Sequence, residues 1–392
     1  MNLKFGLLAL LISSFFASIV QFNFGKTEIT LENLDTGNGQ YIYYDLYKPK
    51  IASEKNKVPF IAIIPGFQRS KEALSNIAIE LSRRGYVVGL IDPYAQGLSS
   101  SSRSRIAATT QGYGMFALIE HVNESSDFNF INKKLLGSTG HSMGGNAAIR
   151  GANYFGKKAD EQNKKSLLHS VYVSGYVLTL RDDVLKDVRS NVGVSYALYD
   201  EGSFRNELKN WDAANMKIAP ESLRTVNSGL KKEEHISEVE LGKYYGDLES
   251  NTLRVIFNEE LLHPFQPYNA EATANQLAYF ETVFGAPIKL DTYDQIWQWK
   301  EFFTLLNMII SFWLLIPLTR TLLKINFFKT LVKPIPEALP VQNGVGKTIF
   351  WSVFFVSAGI ACVTFIPLVE VAKTLFPEAA TRPYLVFSTK NE

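Results

Sequence analysis

Three uncharged apolar runs interrupt an otherwise mixed-polarity chain, at 5–20, 302–318 and 348–368. The third is the clearest membrane-crossing candidate, because about 20 consecutive apolar residues span the hydrocarbon core of a bilayer as a helix. The first has no continuous polar face, which argues against a surface helix. Between the first two runs the pattern changes to short apolar stretches separated by polar turns. Residues 27–31 and 39–47 read as strands, the second with Tyr41, Tyr43, Tyr44 and Tyr47 around Ile42. Val58–Ile64 is almost wholly apolar, the pattern of a central strand covered on both faces. An amphipathic helix over 73–84 follows, then a strand at 86–91, a helix at 111–122 and a strand around 134–137. Beyond these come a helix at 143–154 and strands at 167–174, 192–198 and 253–257. A helix over 270–284 ends at Gly285-Ala286-Pro287.

Apolar strands alternating with helices predict a doubly wound, mostly parallel α/β sheet. The largely polar stretch at about 205–247 reads as a small cap insertion in that domain. The resulting organisation is a signal anchor or signal peptide at 1–23 and a folded domain at 24–300. A membrane helix at 301–318, a basic loop at 319–347, a second membrane helix at 348–368 and a tail at 369–392 complete it.

Charge orients these segments. The loop at 319–347 carries Arg320, Lys324, Lys329, Lys333 and Lys347 against Glu337 alone, an excess greater than the net +2 of the whole chain. The positive-inside rule places such a loop in the cytoplasm, and Lys4 ahead of the first run puts the N-terminus on the same side. Residues 24–300 are then extracytoplasmic, on a cell membrane. The region after the first run lacks an Ala-x-Ala site, which favours an uncleaved anchor.

Composition narrows the partners. The only cysteine, Cys362, lies in the third apolar run, so the folded domain has no internal disulfide and no cysteine-based metal site. No zinc finger, phosphate loop or interleaved basic and aromatic pattern is present, which argues against nucleic acid and against a nucleotide or metal cofactor. The expected contacts are the bilayer and a lipid, lipid-linked or small acyl ester; oligomeric state is left open.

The chemistry centres on Gly140-His141-Ser142-Met143-Gly144, a G-x-S-x-G pentapeptide between a predicted strand and a predicted helix. Glycines at Gly140 and Gly144 permit the sharp turn that lifts a serine hydroxyl above a sheet edge. A serine needs a base and an orienting acid to attack an acyl carbon. Of the histidines that follow, His169 falls in a strand and His235 in a charged run, whereas His263 lies in a loop after the last strand. His141, beside the nucleophile, reads as structural. Asp200, in Tyr199-Asp200-Glu201-Gly202, is the best placed acid, with Glu201 as its nearest rival and Asp182, Asp183 and Asp247 behind. The backbone N–H groups of Met143 and of Phe67, after Pro65-Gly66, are candidates for an oxyanion hole.

Over roughly 40–284 the chain resembles the α/β-hydrolase superfamily, in its lipase, esterase and dienelactone-hydrolase-like branches. The resemblance implies a nucleophile at Ser142, an acid at Asp200, a base at His263 and oxyanion contacts at Phe67 and Met143, with no cofactor and no metal. The stretch from Asp92 to Ser99 is similar to the Asp-led turn after an early strand in that family. Pro65-Gly66 stands where many relatives have His-Gly. The expected activity is carboxylic ester cleavage by a membrane-anchored serine hydrolase. A serine peptidase or amidase, an acyltransferase, and an inactive membrane scaffold or receptor are the alternatives.

Overall fold

The computed structural model describes residues 3–37, 39–334 and 343–375. Two compact units divide the chain: Phe15–Phe303, and a second formed by the segments on either side of it. Helix α1 (Leu3–Gln21) leads into an antiparallel pair, β1 (Thr27–Gly37) and β2 (Gln40–Pro49). Strands β3 (Val58–Ile64) and β4 (Val87–Ile91) are joined through helix α2 (Ser75–Arg83). Helix α3 (Met115–Glu124), strand β5 (Ile131–His141), helix α4 (Met143–Gln162), β6 (Leu168–Ser174) and β7 (Asn191–Ala197) follow. The short helix α5 (Pro220–Asn227) precedes β8 (Arg254–Glu259) and α6 (Ala270–Phe284).

These strands form one eight-stranded sheet in the order β1-β2-β4-β3-β5-β6-β7-β8. All pairs from β4 to β8 are parallel; β2 runs antiparallel to both of its neighbours. The doubly wound, mostly parallel architecture expected from the sequence is present.

Burial explains which segments took which place. Every residue of β3, β4 and β7 is buried, because helices cover both faces of the central sheet. One apolar layer gathers Phe60, Ile64, Leu118, Ile149 and Val173; the other gathers Ile61, Ile63, Ile77, Leu81, Leu277 and Phe280. In α6 the Asn269 side chain caps the helix, accepting from the amides of Glu271 at 2.8 Å and Ala272 at 3.0 Å.

The stretch at 205–247 packs against the end of the sheet. Tyr245 and Arg254 exchange backbone hydrogen bonds at 2.8 Å, and the Gly242 amide donates to Ile256 at 2.8 Å. Met216, Ala219, Val226 and Val239 enter the core from this stretch. It covers the outer edge of β8, where an unpaired strand would otherwise present open hydrogen-bonding groups.

Helices α1, α7 (Trp297–Leu322) and α8 (Gly344–Leu375) are each long and apolar enough to cross a membrane. Their large apolar side chains, Leu11, Phe312 and Phe365 among them, are exposed on the chain itself, as a bilayer would require. The apolar runs read from sequence at 302–318 and 348–368 are the centres of α7 and α8. Glu337 of the basic loop and the tail from 376 onward lie outside the described residues.

Candidate active site

Parallel strands direct their carboxyl ends, and the loops after them, to one edge of the sheet. Strand β5 ends there at His141, and α4 starts at Met143. Ser142 between them has φ 57° and ψ −122°, a backbone conformation that non-glycine residues rarely adopt. Two glycines make the turn possible by their lack of a side chain. A Cβ at Gly140 would lie 2.3 Å from the Gly144 backbone, and one at Gly144 only 1.9 Å from the Ile64 carbonyl oxygen. The Ser142 amide donates to the Ser174 carbonyl at 2.8 Å, tying the turn to β6.

A cavity of about 250 Å³ opens in front of this serine, and Phe67, Ser142, His263 and Tyr268 all line it. His263 opens a 3-10 turn, His263–Tyr268, just beyond β8. Its Nδ1 lies 2.8 Å from Oδ2 of Asp200, at the end of β7. Asp200 is buried and its Oδ1 accepts the Gly202 amide at 2.7 Å. An ionised carboxylate holding Nδ1–H leaves the Nε2 lone pair as the ring's basic position.

The other sequence candidates are elsewhere. Glu201 is exposed, and Asp183 pairs with Arg181 at 3.0 Å on the surface. Exposed Asp182 starts a short helix, while Asp247 accepts the Ser250 amide at 2.8 Å in a turn. His169 sits on β6 with Nδ1 2.7 Å from Ser170 Oγ, and His235 is exposed. No residue of 205–247 is among those lining the cavity.

The Pro65-Gly66-Phe67 turn passes directly beside the serine: a Cβ on Gly66 would stand 3.1 Å from Ser142 Cβ. Met143 is the first residue of α4, and the first amides of a helix have no acceptor within it. Buried Asp92 braces the loop that follows Phe67. It accepts the Lys71 amide at 2.8 Å, the Lys71 ammonium at 3.3 Å and the Leu98 amide at 3.0 Å. Gly97 is obligatory there, since its Cβ would fall 2.1 Å from the Asp92 carboxyl carbon. Nearby Asp45 is pushed up to about 6, chiefly by burial, against the opposing pull of Lys71.

Three features were not visible in the motif. His141 is more than a bystander: its ring packs on that of His263 with centroids 4.6 Å apart, and its Nδ1 lies 3.1 Å from Ser174 Oγ. Burial above all, then the neighbouring His263 and Arg69, pushes it down to about 3, so it remains a neutral partner. Glu259, at the end of β8, is buried; Ser195 Oγ donates to it at 2.9 Å, Gln266 Nε2 at 3.0 Å and Asn275 Nδ2 at 3.0 Å. Burial raises its carboxyl above the usual range. Finally, α2 grips the base-bearing turn: Asn76 Nδ2 donates to the Pro267 carbonyl, and Tyr268 OH donates to the Ala73 carbonyl at 3.0 Å. Among the described residues no group of three or more His, Cys, Asp or Glu side chains is arranged to hold a metal ion.

Residues 13–201 match a family model described as PETase, PET hydrolase-like. No curated protein matches the chain. Among solved structures, an esterase from Pyrococcus furiosus is 11% identical, with a TM-score of 0.45 over 66% of this chain and 93% of the other. A dienelactone hydrolase from Anabaena variabilis is 14% identical, with a TM-score of 0.42 over 66% and 99%. An α/β hydrolase from a Penicillium species is 12% identical, with a TM-score of 0.43 over 66% and 99%. The strand order, the antiparallel β2 and the strained serine between β5 and α4 carry the assignment. The chain has an α/β-hydrolase-like fold, with a candidate His263–Asp200 pair and three helices long and apolar enough to cross a membrane.

Proposed function

We propose that this protein is a membrane-anchored serine hydrolase that cleaves carboxylic esters through an acyl-enzyme on Ser142. One observation carries the reading: a serine at a strained strand-to-helix turn shares a cavity with a histidine whose Nδ1 is held by a buried aspartate. The description PET hydrolase-like, matched over 13–201, agrees with a hydrolytic reaction.

In this mechanism His263 Nε2 takes the proton from Ser142 Oγ as the oxygen attacks the ester carbonyl carbon. The tetrahedral oxyanion accepts from the Phe67 and Met143 amides. Its collapse breaks the acyl–oxygen bond, and the proton on His263 passes to the departing alcohol. Water then loses a proton to His263, attacks the acyl carbon and releases the acid, restoring Ser142. Asp200 fixes the tautomer and stabilises the imidazolium; His141, neutral and packed on the same ring, adds no competing charge.

The anchor reading of α1 draws support from its far end, where Val20 is buried and Gln21 Nε2 donates to Tyr47 OH at 2.6 Å. The basic residues between α7 and α8 support an extracytoplasmic domain. Short-chain p-nitrophenyl esters with the full-length protein in detergent test the chemistry. Turnover is expected for the natural sequence and not for Ser142→Ala or His263→Ala; turnover unchanged by Ser142→Ala contradicts the mechanism.

A further inference from the structure

Helix α7 begins beside the segment that lines the active-site cavity. Its first turn is held by α2, whose Glu80 is fully buried. Glu80 Oε1 accepts the amides of Ile296 at 2.7 Å and Trp297 at 3.1 Å, while its Oε2 pairs with Arg83 at 2.6 Å and Arg84 at 3.0 Å. Arg84 in turn donates to the Asp291 carbonyl at 2.6 Å, and Arg83 pairs with Asp294 at 2.9 Å. A second contact lies at the other end of α2, where Lys300 Nζ donates to Ser75 Oγ at 3.0 Å. Ser75 directly follows Ala73 and Leu74, which line the cavity with Ser142 and His263. Ala73 also carries the hydrogen bond from Tyr268, another lining residue.

The uncharged stretch of α7 starts at Phe302, two residues after Lys300, or about 3 Å along a helix axis. Lys300 thus links the residue next to cavity-lining Leu74 to the point where α7 becomes apolar. Trp299 and Phe302 are exposed at this level, where aromatic side chains mark the boundary between membrane and water. The turn that carries the base is apolar as well: Leu262, Phe265 and Tyr268 are all exposed, Phe265 at 58%. Single exposed apolar residues are ordinary, but exposed aromatics on both the base-bearing turn and the start of an apolar helix suit a surface that meets lipid.

We infer that the mouth of the Ser142 cavity rests at the bilayer surface and that its substrate is a long-chain carboxylic ester of a lipid resident in the same membrane. The inference rests on the serine hydrolase reading and names its substrate class. The lipid's acyl–oxygen bond is exchanged for a bond to Ser142 Oγ, and water then releases the fatty acid. The alcohol keeps the proton relayed by His263 and stays in the bilayer. Charged Lys300 and Glu301, paired at 2.9 Å, would lie at headgroup depth.

The test uses full-length protein in phosphatidylcholine vesicles, with two probes: a self-quenched fluorogenic dioleoyl-glycerol ester and soluble p-nitrophenyl butyrate. With the glycerol ester in the protein's own vesicles, cleavage is expected to be about tenfold or more faster than with the same ester in separate vesicles, through local concentration. Trp299→Ser, outside the catalytic turn, is expected to lower the own-vesicle rate about fivefold while the butyrate rate stays within about twofold. Ser142-dependent butyrate cleavage without own-vesicle preference, or with Trp299→Ser indifferent to the lipid probe, overturns the inference and leaves the hydrolase reading standing. Cleavage of neither probe by folded protein overturns both.

Discussion

The turn His263–Tyr268 sets two side chains against two carboxylates, and the two pairs have different surroundings. His263 meets Asp200 at 2.8 Å and lines a cavity. Three residues on, Gln266 meets Glu259 at 3.0 Å with Ser195 and Asn275 closing the remaining sides. Asp200 has a partner that can pass a proton outward. Glu259 has partners that only fill its lone pairs, and burial raises its carboxyl above the usual range. Glu80 resembles Glu259, sealed among two arginines and the first amides of α7. In the proposed reaction the open pair would serve proton transfer, and the sealed carboxylates would hold the elements around it in place.

Asp200→Asn separates these roles most strongly. It should reduce kcat/KM by about 10⁴-fold, the cost of a wrongly held imidazole, with little change in unfolding temperature. Glu201→Gln, on the exposed neighbour, should leave kcat/KM within about twofold; equal losses at both would break the assignment of the acid. Glu80→Ala should instead appear as instability, about 3–5 kcal/mol from the buried Arg84 guanidinium losing its counter-charge while Arg83 keeps Asp294, read by thermal unfolding in detergent. Glu259→Ala should cost about 1–3 kcal/mol by leaving Ser195, Gln266 and Asn275 with unmet donors, and less activity than Asp200→Asn.

The smallest effect has a defined sign. Because the folded state raises the Glu259 carboxyl, it binds that proton more tightly than the unfolded chain does. The stabilisation it gives is full at low pH and is lost as pH rises through the folded value. The unfolding temperature of the natural sequence should therefore fall relative to Glu259→Gln as pH increases across and above the usual carboxylate range. A difference constant with pH would show that Glu259 does not titrate on folding.

Sequence legibility follows the same divide. Val58–Ile64 and Ala270–Phe284 match their expected bounds, because a fully apolar strand and a helix closed by Gly285 are local patterns. Strand β5 begins earlier than expected since Asn132, Lys133 and Lys134 are polar yet join the sheet, and β1 extends to Gly37 through alternating exposed residues at an edge. The proposed set Ser142, Asp200 and His263 rests in the sequence on motif, order and loop position, and the fold brings His263 to Asp200 and into a cavity with Ser142. Their relation to Glu259, Gln266 and Glu80 is not readable from sequence, because these residues act across the fold: Glu80 meets residues more than two hundred positions away. The packing of the polar stretch at 205–247 against the β8 edge is not legible, because its few buried alanines and valines give no periodic signal.

The account stands most directly on the reactivity of one oxygen. Full-length protein treated with a fluorophosphonate, digested and mapped by mass spectrometry, should carry a single adduct on Ser142. The adduct should be absent in Ser142→Ala and formed much more slowly in Asp200→Asn. Folded protein that takes up no phosphonate, or takes it up on another serine, would contradict the assignment.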